Sequence, residues 1–239
     1  MGDSRSSAVL GALVALGLIV GLIGGGRYIA QAADIWQQSS RTVTVRGLAE
    51  REIPADLALW PLNYTVDADT LGELQKGLER DRERISNFLL AADFNEADIS
   101  VTTPRITDHA RNTYGDRRPE LRYSAEATVL LRTSNVAGVR ETVSRVNELV
   151  REGVLLSPTY EYRTEFLFTG LEAIKPEMIA EATADARRAA QQFAQDAGSS
   201  VGEIRRATQG YFSINDLDSY TPEVKRVRVV TTVDYALED

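Results

Sequence analysis

The sequence predicts an α+β body carried behind a single membrane-spanning helix. Three observations carry this. Residues 8–26, AVLGALVALGLIVGLIGGG, form one uncharged apolar run that ends at Arg27. Behind it, stretches of period-two alternation interchange with stretches of helical period. Each helical stretch has one apolar face, which suits helices laid on one side of mainly antiparallel sheet.

At about 1.5 Å per residue, the run reaches across most of a ~30 Å hydrocarbon core. A secretory signal peptide is the competing reading, because Ala30-Gln31-Ala32 resembles a small-x-small cleavage site. Signal h-regions run about 7 to 15 residues, shorter than this one. Arg27 and Tyr28 also separate the run from that site. The expected organisation is therefore a tail at 1–7, an anchor at 8–28, a linker at 29–40 and a folded domain at 41–239. Arg5 is opposed by Asp3, while Arg27, Arg41 and Arg46 lie beyond the span, so the positive-inside rule does not decide orientation. A short tail before a large body is the form of a signal anchor, which places the body on the exported side. Gly17, Gly21 and Gly25 fall on one face of the helix as overlapping G-x-x-x-G patterns and are candidates for helix association. Tyr28 and Trp36 suit the membrane interface.

A net charge of −8 and a pI near 4.9 argue against a nucleic-acid partner, since phosphate contacts need a basic surface. With no cysteine in the chain, disulfides, thiolate catalysis and cysteine-based metal sites are excluded. No cofactor motif is present.

In chain order, Arg41 to Arg46 alternates as a strand, with Val43 and Val45 on one face, and Gly47 to Pro54 reads as the break after it. Asp56 to Val66 is a second strand, expected to pair with the first, with Trp60, Leu62, Tyr64 and Val66 on one face. Pro61 within it signals a bulge or an edge. Thr70-x-x-Glu73 is a capping box opening a helix to about Ala91, whose charged face runs from Glu79 to Arg84. Ile99 to Thr107 reads as a strand, His109 to Pro119 as an exposed loop, and Leu121 to Leu131 as the fourth strand. A second helix starts at Ser134 or Asn135 and ends before Gly153.

Val154 to Phe168 reads as one long aromatic strand, with Tyr160, Tyr162, Thr164, Phe166 and Phe168 on a face. A third helix is expected to begin near Pro176 at a first-turn position and to stop at Gly198. Its buried face would hold Ile179, Ala182, Ala186, Ala189, Phe193 and Ala197. Strands at Glu203–Ser213 and Val224–Leu237, joined by a polar loop, complete the set. The order strand, helix, strand, loop, strand thus occurs twice, from Asp56 to Arg132 and from Val154 to Leu237.

The chain resembles the SIMPL-domain family. The likeness is carried by Val43-Thr44-Val45-Arg46-Gly47 followed by Pro54-Ala55-Asp56-Leu57-Ala58, and by the alanine-rich Ala180 to Gly202. The resemblance implies an α+β body that tends to oligomerise, in the bacterial envelope, with an association to stress tolerance. It implies no catalytic residue set.

Side-chain constellations add little chemistry. His109, with Asp108 beside it, has no G-x-S-x-G elbow to serve. Asn215, Asp216 and Asp218 cluster oxygens but lack the glycine and glutamate of an EF-hand, and read as a solvated turn. Arg80, Arg82 and Arg84 alternate with acids as a solvated helix face. Asn63-Tyr64-Thr65 matches the glycosylation pattern inside an expected strand. The aromatic row Tyr160, Tyr162, Phe166 and Phe168 is either core under a helix or a subunit interface or groove. The expectation is therefore a non-enzymatic, single-pass protein of the bacterial inner membrane that self-assembles in the periplasm in a structural or stress-protective role. The alternatives are a periplasmic ligand-binding module using an aromatic groove, and a body released after signal cleavage.

Overall fold

The computed structural model describes residues 17, 21, 22, 26, 27, 41–112, 121–157 and 163–238. Most of the expected anchor, Gly25 included, the linker, and Tyr160 and Tyr162 lie outside them. Gly17, Gly21, Leu22, Gly26 and Arg27 are helical and exposed. Among the described residues no helix is long and apolar enough to cross a membrane.

The strands are β1 (Thr42–Pro54), β2 (Leu57–Ala68), β3 (Ile99–Val101), β4 (Arg105–Asp108), β5 (Tyr123–Thr133), β6 (Glu165–Leu167), β7 (Ser200–Gln209), β8 (Ser213–Asp216) and β9 (Val224–Glu238). The helices are α1 (Leu71–Ala91), α2 (Val136–Val143), α3 (Asn147–Arg151) and α4 (Leu171–Asp196). One sheet has the order β1-β9-β7 with β8 on β9, and the other β3-β5-β2-β6 with β4 on β5. The chain forms two compact units, the first from residues 1–49, 177–212 and 229–239, the second from residues 50–176 and 213–228. The fold is α+β with antiparallel sheets, as expected.

In the second unit, Ala58, Trp60, Leu62, Tyr64, Val66 and Ala68 of β2 alternate inward. They pack with Ala125, Ala127, Val129 and Leu131 of β5 beneath Leu74, Leu78, Ile85 and Leu89 of α1. The capping box is formed: the Thr70 hydroxyl accepts the Glu73 amide at 3.2 Å and donates to the Glu73 carboxylate at 2.9 Å. Asn135 caps α2 by accepting the Gly138 amide at 2.9 Å. The single helix expected there is two, because the chain turns at 144–146, where the Ser144 hydroxyl donates to the Glu141 carbonyl at 2.7 Å. Pro61 is neither at a bulge nor on an edge strand: β2 lies between β5 and β6, its register with β5 is regular through the Pro61–Leu130 pair, and among the described residues β6 pairs only with Leu57 to Leu59.

In the first unit, Val45 of β1, Val233 and Tyr235 of β9, and Ala186 and Ala190 of α4 form the core. The Leu237 amide donates to the Arg41 carbonyl at 2.9 Å, and the Thr44 hydroxyl to Asp234 at 2.7 Å, fixing β1 against β9.

Four expectations are corrected here. Gly47 is no break: β1 runs on to Pro54, and it pairs with β9 rather than β2. The glycine is there because α4 crosses so close that a Cβ would run into the Ala182 carbonyl and the Ala186 amide nitrogen. The buried stripe of α4 is Met178, Ala182, Ala186, Ala190 and Ala194, while Phe193 is 60% exposed. Finally, α4 begins at Leu171, so Pro176 lies inside the helix.

The repeat is also differently built. Strand, helix, broken edge strand and central strand recur as β2-α1-β3/β4-β5 and as β1-α4-β7/β8-β9. The second set takes its first strand from the start of the body, and β6, expected in that role, joins the edge of the other sheet. Replacement Gly47→Ala should destabilise the body by about 3 kcal/mol through overpacking against helix backbone, where relaxation is costly. Urea unfolding of the variant checks this, and a loss below about 0.5 kcal/mol would contradict the close contact.

Candidate functional site

The second unit carries an open groove of about 920 Å³. One wall is the consecutive run Arg163–Phe168, and the other is built from Ile214, Asp216, Asp218, Pro222 and Lys225. It brings together two features that the sequence keeps apart: the end of the aromatic row and the acidic loop after β8.

The first wall is held by Asp56. Its carboxylate accepts the Thr169 amide at 2.8 and 3.0 Å, the Thr169 hydroxyl at 3.1 Å and the Gly170 amide at 3.0 Å. These donors stand just before the first turn of α4, where backbone N–H groups lack helical partners. The Asp56 amide in turn donates to the Leu167 carbonyl at 2.9 Å. One residue therefore fixes both the end of β6 and the start of α4. The Phe168 ring lies against Gly170, where a Cβ would come within 3.1 Å of it.

Within that wall, Phe166 is buried in the core and Phe168 is half-buried beside the groove. The long aromatic strand expected over Val154–Phe168 is not continuous. Ser157 donates to the Asn63 carbonyl at 2.9 Å and Leu156 bridges Tyr64, but Arg163 and Thr164 are not in a strand and β6 has three residues.

The opposite wall is a hairpin. The Asp218 carboxylate accepts the amides of Tyr220 at 2.7 Å and Thr221 at 2.8 Å, which shapes the turn between β8 and β9. The Tyr220 amide, and with it the Thr221 amide, holds the Asp218 carboxyl below its ordinary value. Lys225 is buried and pairs with the half-exposed Asp216. Among the described residues no three His, Asp or Glu side chains stand together as a metal site. Asn215 is exposed on β8.

Away from the groove, His109 Nε2 lies 3.0 Å from the Ser124 hydroxyl, a pairing the sequence does not foretell. Asp108 is turned to Arg122, at 3.2 and 3.3 Å, and to the Ala110 amide. The charged face of α1 needs correction as well. Asp81 on it is 2% exposed, held by Arg80 at 2.9 and 3.2 Å and by Arg84 at 3.4 Å. Asn63 is buried, its amide donating to Glu126 at 2.7 Å and accepting from the Thr128 hydroxyl at 3.3 Å, so in the folded chain it is closed to glycosylation.

The family model "SIMPL: Protein of unknown function (DUF541)" matches residues 43–234, most of the chain. The chain belongs to the SIMPL family. No curated protein matches it. In this SIMPL domain the residues carrying the likeness fall where the fold is most constrained. Gly47 lies beneath α4, Asp56 ties β6 to α4, and Ala180 to Gly202 supplies the alanine stripe and the entry to β7.

Two measurements test the walls of the SIMPL groove. Asp56→Ala should lower stability by about 2–3 kcal/mol, because it strips a charged acceptor from three donors, and Asp56→Asn by about half as much. An Asp56→Ala midpoint unchanged in urea would sink this account. Acid titration tests the other wall. Asp218 has a folded pKa below its unfolded value, so its contribution is present above about pH 4 and is lost as pH falls through the folded value. The stability of Asp218→Asn should therefore fall less steeply than the parent's below about pH 4, and parallel curves would refute the turn's dependence on that charge.

Proposed function

We propose that this SIMPL-family protein is a non-enzymatic component of the bacterial envelope, tethered to the inner membrane by residues 8–28, with its body self-associating in the periplasm in a structural or stress-protective role. The observation that carries the reading is the uncharged run 8–26 placed directly ahead of a family-matched body. Gly17 and Gly21 support association along that run, for both are helical and a Cβ at either would meet nothing within 4 Å. Gly25 continues the same spacing in the sequence. The stress-protective part rests on family analogy, which by itself does not establish function.

The test is the mass of the full chain in detergent micelles, by light scattering, beside a shortened chain beginning at Arg41. A multi-subunit mass for both makes the body the assembling part and the membrane helix a tether. Assembly of the full chain alone, lost in a Gly17→Leu, Gly21→Leu, Gly25→Leu variant, moves self-association to the helix. A monomer in both cases overturns it.

A second reading is favoured by the groove beside Phe166 and Phe168: the body takes a ligand there, with no cofactor or metal required. Saturable thermal stabilisation by one ligand class, about 3 kcal/mol at a hundredfold excess over Kd, is the expected sign.

A further inference from the structure

We propose that the exposed Phe193 on α4 is the docking site for residues 29–36 of the same chain, with Trp36 packed against the Phe193 ring. The inference does not depend on whether the body self-associates.

The helices α1 and α4 end alike. At the end of α1 the Phe94 amide donates to the Leu89 carbonyl at 3.3 Å and the Asp93 amide to the Leu90 carbonyl at 3.1 Å. At the end of α4 the Ser199 amide donates to Ala194 at 2.8 Å and the Gly198 amide to Gln195 at 3.1 Å, the same pair of bonds. Asp93 and Gly198 share the left-handed backbone, with φ of 62° and 69°. The next strands keep the match, for Ile99 pairs with Leu131 of β5 and Ile204 with Tyr235 of β9. In this correspondence the buried Ile85 and Leu89 align with the buried Ala190 and Ala194, and Phe88 aligns with Phe193.

The two phenylalanines differ in what covers them. Trp60 of β2 meets the Phe88 ring edge-on, with centroids 6.4 Å apart, and Arg145, from the turn between α2 and α3, lies over it at 6.0 Å. Phe193 is 60% exposed. The reason lies in β1. Trp60 stands opposite Leu131, whose counterpart is Tyr235. Counting along the ladder from the Arg41–Leu237 bond, the residue opposite Tyr235 is Val43, which packs on the cluster holding that tyrosine. Valine cannot offer Phe193 the indole that Phe88 meets.

The chain carries a second indole close to that place. Its two tryptophans are Trp60 and Trp36. Ile29, Ala32, Ala33 and Trp36 recur at i, i+3, i+4 and i+7, an apolar stripe at helical spacing, with Gln31, Asp34 and Gln38 off it. These residues lie outside the described ones, but the start of β1 fixes their reach. The Arg41 guanidinium is 3.4 Å from the Ser199 hydroxyl, and Ser199 is bonded to Ala194, the neighbour of Phe193. At most ~17 Å of chain joins Trp36 to Arg41. So short a tether gives the segment an effective concentration of about millimolar, which favours it over the same segment of a second copy. Residues 28–40 include Asp34 and no Lys or Arg, which disfavours lying on an anionic membrane surface instead. Docked in this way, the stretch that leads to the proposed anchor becomes part of the first unit.

The experiment uses the full chain in detergent micelles with 5-fluorotryptophan in both positions, read by fluorine resonance and assigned with Trp36→Phe. Phe193→Ala is expected to move the Trp36 signal to that of a solvent-exposed indole and to leave the Trp60 signal in place, which also reports that the body is folded. A Trp36 signal indifferent to Phe193→Ala overturns the proposal. So does a Trp36 signal broadened by a micelle-soluble paramagnetic agent, which would put the indole in the membrane interface. Mixing fluorinated Phe193→Ala chain with unlabelled parent separates the remaining case: recovery of the docked signal would assign the contact to a second copy and overturn docking within the chain, and no recovery supports it.

Discussion

The hydrogen bonds around the Asp56 carboxylate determine most of what is distinctive in the second unit. Four acceptor contacts and one amide bring together the start of β2, the end of β6 and the first turn of α4. A carboxylate near a helix N-terminus is favoured both by the unpaired amides there and by the helix dipole. Because the same residue fixes Leu167, β6 is held on β2 although it is three residues long. The groove wall follows from that anchoring, not from the aromatic content of the segment.

The first unit obeys a different constraint, the near contact of backbone with backbone. Alanine at four successive one-turn steps of α4, from Ala182 to Ala194, presents a face without bulk, and Gly47 removes the last obstacle on β1. Such a core gains from dispersion between closely packed atoms more than from large side chains, and so tolerates little added volume. Val45, Val233 and Tyr235 fill the space that the alanines leave.

What the sequence reveals depends on how local each cause is. Helix α1 is legible because its cap, Thr70 with Glu73, adjoins its apolar period. Helix α4 is legible in type but not in its start, since its N-terminal acceptor lies more than a hundred residues away at Asp56 and nothing near Leu171 announces it. Pro176 is then read as a first-turn residue although it lies inside the helix. Gly47 looks like a turn because glycine usually marks one, whereas here it marks the passage of another backbone. Half of the groove is visible as an aromatic row ending in Phe166 and Phe168. Its other wall, the β8–β9 hairpin, is brought there by strand order, which residue pattern does not encode. Asp81 is hidden for a related reason: a carboxylate flanked by arginines looks solvated until the burial of its position on α1 is known.

The pairing of β1 with β9 sets the order in which the chain acquires structure. The Arg41 carbonyl and the Leu237 amide are joined across nearly the whole length of the body. During synthesis β1 emerges first and its partner last, so it waits unpaired while residues 50–176, which hold β2 to β6 and the helices over them, have all of their own sheet available. Folding is therefore staged, with the second unit able to consolidate early and the first completed after the last strand has been made. A chain cut short before β9 would keep one sheet and lose the other, leaving the thirteen residues of β1 as an open strand.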